Sequence, residues 1–238
     1  MSTAHNRART ALFLSVLVTV AVHHTVWGRQ LGWPLVLLST VAHELGHGLT
    51  ALLVGGDFVG LSINSDASGV AMTRSSSRLA RAAISAGGLL GPPAVAAMLF
   101  RSATSDRWAR AATMCCALVC VGILVFVRVN IFGMAMLLGL ASALAWIGIK
   151  RSHWDCQLGL VFLGTQLALS TWSRSDYLFT PVARTANGTM PSDVAQMAQA
   201  LWLPYWVWGG LCFLCSLATL WYGIAPYWRG DRVRSKQP

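Results

Sequence analysis

Glutamate is all but missing from this sequence: Glu44 is the single copy in 238 residues, and only eight acidic side chains stand against 18 lysines and arginines. Charged residues of both signs together amount to 11% of the chain. So little charge cannot cover a water-soluble globule of this length, which excludes a soluble enzyme or a soluble binding module. Cysteine is also scarce. Of six copies, Cys115, Cys116, Cys120, Cys212 and Cys215 lie inside apolar runs and Cys156 begins one, so they read as small buried hydrophobes, not as a disulfide framework or a metal cluster. An internal repeat of the kind that builds secondary transporters is lacking as well. The net charge of +10 would suggest nucleic acid in a soluble protein, but here the basic residues fall between apolar runs, where anionic headgroups await them. No nucleic-acid partner is expected.

What the chain does have is apolar length. Hydrophobic residues make up 55% of it, and its mean hydropathy is +0.56. A helix needs roughly 20 mostly apolar residues to cross a bilayer. Runs at about 10–28, 34–56, 80–100, 111–128, 130–149, 155–172 and 200–226 are candidates. The expected fold is an all-α polytopic membrane protein of about six to seven transmembrane helices, a single integral membrane domain over 1–238 embedded in the lipid bilayer, with a basic tail at 227–238. The first run follows a basic start and lacks a convincing small-residue cleavage site, so it is expected to be an uncleaved span. With seven alternating spans, ten basic residues fall on one side and eight on the other, a bias toward a cytoplasmic C-terminal tail. Between the second and third runs, Val59, Leu61 and Ile63 alternate with Gly60, Ser62 and Asn64. "SDASG" then supplies a turn, and Val70 and Met72 resume the alternation. This predicts a short β-hairpin after the second helix. Further on, Ser192 is placed to cap a helix over "DVAQMAQAL".

The lone glutamate sits in "PLVLLSTVAHELGHGLTALLVGG", between His43 and His47 and in the middle of an apolar run. On a helix, residues four apart differ by about 40° around the axis, so the two imidazoles share one face and can hold one zinc ion together. Glu44 lies about 100° from His43 and about 60° from His47, near enough to act as general base without displacing a ligand. The spacing is that of a hydrolytic zinc site. Ionisable side chains inside a bilayer cost several kcal/mol, so three together point to function and not to incidental polarity. A hydrolase is therefore expected. The alternatives are a catalytically silent membrane protein that keeps a structural metal site, or a regulator that binds a partner.

These residues resemble the site-2 protease family of intramembrane zinc metalloproteases, and in particular its small bacterial and plant branch. "HELGH" within an apolar span carries the resemblance. Gly55 and Gly56, the hairpin, "AGGLLGPP", "RVNIFG" and "SDVAQMA" match the branch in order and spacing, so that a metalloprotease-like core extends over about 33–210. The resemblance implies a multi-pass protein of the bacterial plasma membrane that hydrolyses peptide bonds of membrane protein or peptide substrates with Zn2+. It also implies that Asn130 orients substrate or zinc ligands, although a helix cap is an equal reading of an asparagine at that place. Together with the alternation, it implies that Leu61 and Ile63 on the hairpin help to present an unwound substrate strand. The chain departs from better-known members in lacking an "LDG" motif, their source of a third ligand.

A carboxylate ligand must then be an aspartate. Asp57 and Asp66 lie too far along the helix or in the hairpin turn, and Asp106 and Asp231 sit beside arginines in polar segments. Asp155 stands at a span entrance. Asp176 follows the sixth run among aromatic residues. Asp193 begins a helix, where the dipole alone would favour it. Both match acidic positions of the branch. Asp176 is placed first and Asp193 is the alternative.

Overall fold

A computed structural model describes residues 3–23, 25, 28–173, 175–185 and 188–229. It is mostly helical. In chain order come α1 (Thr3–His23), α2 (Gly28–Leu53), strands β1 (Asp57–Ile63) and β2 (Gly69–Arg74), α3 (Arg78–Ala103), α4 (Asp106–Phe126), β3 (Arg128–Val129), α5 (Ile131–Lys150) and α6 (His153–Ser173). A 3-10 turn (Ser175–Phe179), strands β4 (Val182–Thr185) and β5 (Gly188–Pro191), and helices α7 (Asp193–Leu201), α8 (Tyr205–Ile224) and α9 (Pro226–Arg229) complete it. The tail beyond residue 229 lies outside the described residues.

Among the described residues, five helices are long and apolar enough to cross a membrane: Gly32–Leu53, Arg78–Ala103, Asp106–Phe126, Ile131–Lys150 and Tyr205–Trp228. Five is fewer than the six to seven expected from the apolar runs. The other two runs correspond to α1 and α6, each of 21 residues. They are more polar: α1 opens with Asn6, Arg7 and Arg9, and α6 carries His153, Asp155, Gln157 and Gln166. The two glutamines are buried inside the protein. Gln157 is fully buried and donates to the Ala103 carbonyl at 2.9 Å, and Gln166 donates to the Thr19 hydroxyl at 2.5 Å. All six cysteines are free.

The central helix is α3, packed against α2, α6, α7 and α8. Lipid tails are as apolar as leucine, so helices in a bilayer associate through close van der Waals packing, for which small residues serve best. The α2–α3 contact is built that way. A Cβ on Gly46 would run into the Gly87 carbonyl, one on Gly91 into the Ala42 carbonyl, and one on Gly88 into the His47 ring. The small residues of "AGGLLG" thus let two backbones meet and leave room for one imidazole.

At the end of α2, Gly55 adopts φ +77, a conformation that other residues rarely take. Gly56 N donates to the Ala51 carbonyl at 2.8 Å, and the chain reverses. It then runs back along the same helix. Phe58 lies over Gly48, the Thr40 hydroxyl donates to the Ala67 carbonyl at 2.7 Å, and Trp33 Nε1 donates to the Ser65 carbonyl at 3.0 Å. β1 and β2 pair antiparallel, Leu61 opposite Ala71. β1 also pairs with β3 in parallel, giving a sheet of order β2-β1-β3. Strand backbone beside a spanning helix is tolerated where protein buries it or where it lines a cavity. Here one face is buried. Leu61 and Ile63 have no exposed surface and pack with Leu37 and Val41 of α2, Cys120 and Ile123 of α4, and Leu137 and Ala141 of α5.

On the other side of α3, Val194, Met197 and Ala200 of α7 pack with Ala82, Leu89, Leu178 and Cys212. Ser192 caps α7, accepting from Ala195 N at 3.3 Å.

Candidate metal centre

Two turns of α2 supply the imidazoles. Their Nε2 atoms lie 3.2 Å apart, with ring centroids separated by 4.7 Å and planes at 89°. His47 Nδ1 stands 2.8 Å from the Ile84 carbonyl, which can only accept, so Nδ1 carries a proton and Nε2 is the nitrogen turned toward His43 and Asp193. The close α2–α3 packing creates this bond.

Asp193 meets the same two atoms from α7. Its Oδ2 is 3.2 Å from His43 Nε2 and its Oδ1 is 3.4 Å from His47 Nε2. The residue is 4% exposed. Burial alone would raise the pKa of this carboxyl, but the interactions with the imidazoles of His47 and His43 outweigh that and hold it below the usual carboxylate range. Oδ2 is buried without a hydrogen-bond partner among the described residues. A buried carboxylate and two imidazole nitrogens therefore converge on one point. One ligand atom from each of the three residues lies within 4.8 Å of the others. A cation held there would satisfy all three, and a set of two imidazoles and a carboxylate suits zinc. The residues fit the ion.

Glu44 is buried too, at 6% exposure, and its Oε2 accepts a hydrogen bond from Ala71 N at 2.6 Å. It shares a cavity of about 370 Å³ with His43, Thr40, Gly69, Tyr177 and Ser216. The Tyr177 ring stands edge-on to His43, with centroids 6.3 Å apart. Asp66 lies in the turn at the cavity's rim. It accepts from the hydroxyl of Ser68 at 2.7 Å and from its amide at 2.9 Å, which lowers its pKa from the ordinary value.

The structure thus brings His43, Glu44, His47 and Asp193 together. The backbone of Asp176 lies in the 3-10 turn, while its side chain falls outside the described residues. Asp155 caps Ser152, accepting from its hydroxyl at 2.9 Å, and Asp106 lies 3.6 Å from Arg7. Asp231 is outside the described residues. Asn130 caps α5 and binds Ile63 twice, accepting from its amide at 3.0 Å and donating to its carbonyl at 2.8 Å. Its side chain secures β1 to α5. Leu61 and Ile63, expected at the substrate face, need correcting: the alternation is there, but the apolar face turns inward and anchors the sheet. Two contributors were not foreseen, Tyr177 and the Ala71 amide. The first could have been noticed as the aromatic beside Asp176; the second, a main-chain atom, has no signature in sequence.

A family model described as Peptidase M50B-like matches residues 14–223. This is the site-2 protease family of intramembrane metalloproteases. The chain belongs to it. No curated protein and no solved structure matches the chain. Membership makes it a membrane-embedded metallopeptidase, and the apolar helices agree with an integral membrane protein.

Proposed function

We propose that this chain is an intramembrane zinc endopeptidase that hydrolyses peptide bonds of membrane protein or peptide substrates, with His43, His47 and Asp193 as metal ligands and Glu44 as general base. One observation carries the reading: a buried aspartate from α7 meets two histidines of a spanning helix, beside the cavity that holds the chain's only glutamate. For the third ligand, this contact favours Asp193 over Asp176. When bound, zinc supplies a Lewis acid that polarises the scissile carbonyl and makes water acidic.

The protein's own residues do the rest. Glu44 Oε2 is engaged by Ala71, so Oε1 is left to take the proton from the attacking water and deliver it to the leaving amine. His47 keeps its ring fixed through Ile84, and His43 is flanked by Tyr177. β2 is an edge strand whose outer side faces Glu44, so an unwound substrate segment can add there by strand pairing. A helical substrate hides its scissile bond, and the edge offers the hydrogen bonds that unwinding costs. In this reading α6 and α1 cross the bilayer with the five apolar helices, with Ser15, Thr19, Gln157, Thr165 and Gln166 turned inward, and the protein resides in the bacterial plasma membrane.

The test is metal analysis of the purified protein combined with cleavage of membrane peptides in detergent or liposomes. Near-stoichiometric zinc, with cleavage lost to a chelator and restored by zinc alone, is expected. Stoichiometric zinc with no cleavage of any membrane peptide would instead identify a silent protein with a structural metal site.

A further inference from the structure

The contact between Glu44 and β2 goes beyond what a substrate rail requires. Three features of the sheet converge on this side chain. The Ala71 amide donates to Oε2 at 2.6 Å. Because it points at α2, it lies on the outer side of the edge strand and takes no part in pairing with β1. Gly69 leaves the space the glutamate occupies: a Cβ there would lie 2.6 Å from Thr40 Cγ2 and 2.8 Å from Glu44 Cγ. The bond from Thr40 to Ala67 then locks the turn at that level of α2. A glutamate with three rotatable bonds is thereby confined between a helix and a strand before any substrate arrives.

We propose that β2 is the holder of the general base: the Ala71 main-chain amide, seated by Gly69, is the positioning group that aims Glu44 at the reacting water. The proposal rests on Glu44 being the base. It differs from a role in substrate pairing, because at Ala71 the outward amide is already taken by the enzyme's own carboxylate. An incoming strand must find its hydrogen bonds to either side of that point. Misplacing a catalytic group by about 1 Å can cost on the order of 10²-fold in rate, so loss of the amide should act on turnover and not on binding.

The composition of the chain makes this measurable without activity. Glu44 is the only glutamate, so protein labelled with 13C-glutamate and 15N-alanine carries a single side-chain carboxyl signal of that type. In the wild-type protein, solid-state dipolar recoupling should place one alanine amide at hydrogen-bonding distance from that carboxyl, and Ala71→Pro should abolish the contact. Proline is tolerated on the outer side of an edge strand, where no ladder bond is lost. In the same variant kcat should fall by on the order of 10²-fold, with KM and zinc content near wild type. Gly69→Ala should displace the carboxyl signal as well. Absence of the alanine contact in the wild-type protein would overturn the proposal whatever any variant does. So would a raised KM at unchanged kcat, which would assign the amide to substrate. A wild-type protein that shows the contact but cleaves nothing would keep Glu44 on β2 and remove the metalloprotease reading instead.

Discussion

The Ser192 hydroxyl donates to the Thr180 carbonyl at 2.6 Å, and the Ser192 amide donates to the Pro181 carbonyl at 3.0 Å, one residue ahead of Asp193. The β4–β5 segment is therefore closed at its base by the same residue that caps α7, and the aspartate is delivered to the histidines from a pinned position. Ser192→Ala removes the cap and one pin. It should cost about 1 kcal/mol of stability and lower zinc affinity by roughly 10-fold or more, as loss of groups that orient a ligand does. Thermal unfolding and competitive zinc titration of the variant check both.

Glu44→Gln keeps the shape of the side chain and the acceptor for Ala71 but cannot take a proton. Zinc content should match wild type while peptide cleavage falls by at least about 10²-fold. Full activity in this variant would sink the assignment of the base.

Asp193→Asn and Asp176→Asn separate the two carboxylates. The first leaves two histidines and an uncharged amide, and should lose both metal and activity. The second should retain zinc. Metal analysis of the two purified variants decides, and the reverse pattern would return the third ligand to Asp176.

Two glycines of the α2–α3 contact should respond differently to alanine. Gly46→Ala sets a methyl group against the Gly87 carbonyl and should cost about 1–3 kcal/mol of stability. Gly88→Ala sets it against the His47 ring and should weaken zinc binding more than it weakens the fold. Comparing unfolding temperature with zinc affinity for the pair tests whether this seam serves packing at one position and ligand placement at the other.

Leu61→Asp with Ile63→Asp places two carboxylates in a fully buried cluster. The cost is several kcal/mol for each unpaired charge. Zinc content and cleavage should fail together, as expected of an anchor and not of a substrate surface. Selective loss of cleavage with zinc retained would restore the substrate-facing reading.

His43, Glu44 and His47 are legible in the sequence because a fixed helical spacing carries their geometry, and the start of α7 is legible from Ser192. The direction in which Asp193 points is not, because an acidic residue in a first turn already has a local explanation in the helix dipole. The signal that outweighs it is subtler. Asp193 lies four residues from Met197 and seven from Ala200, both buried, so it stands on the apolar stripe of α7 where a merely capping carboxylate would be costly. Leu61 and Ile63 show the limit from the other side. Alternation says that one face of a strand is apolar but not what covers it, and the cover comes from α4 and α5, distant in sequence.

The proposed ligand set also carries a schedule. His43 and His47 leave the ribosome early, and Asp193 arrives only after α3, α4, α5 and α6 have been made. Until α7 docks against α3, the nascent chain carries two histidines and a glutamate but no complete metal site. Under the proposed mechanism, a protease that works inside the bilayer would be inert while its own helices are being inserted beside it. Competence would then come with the last quarter of the polypeptide, and the folded bundle itself would act as the safety catch.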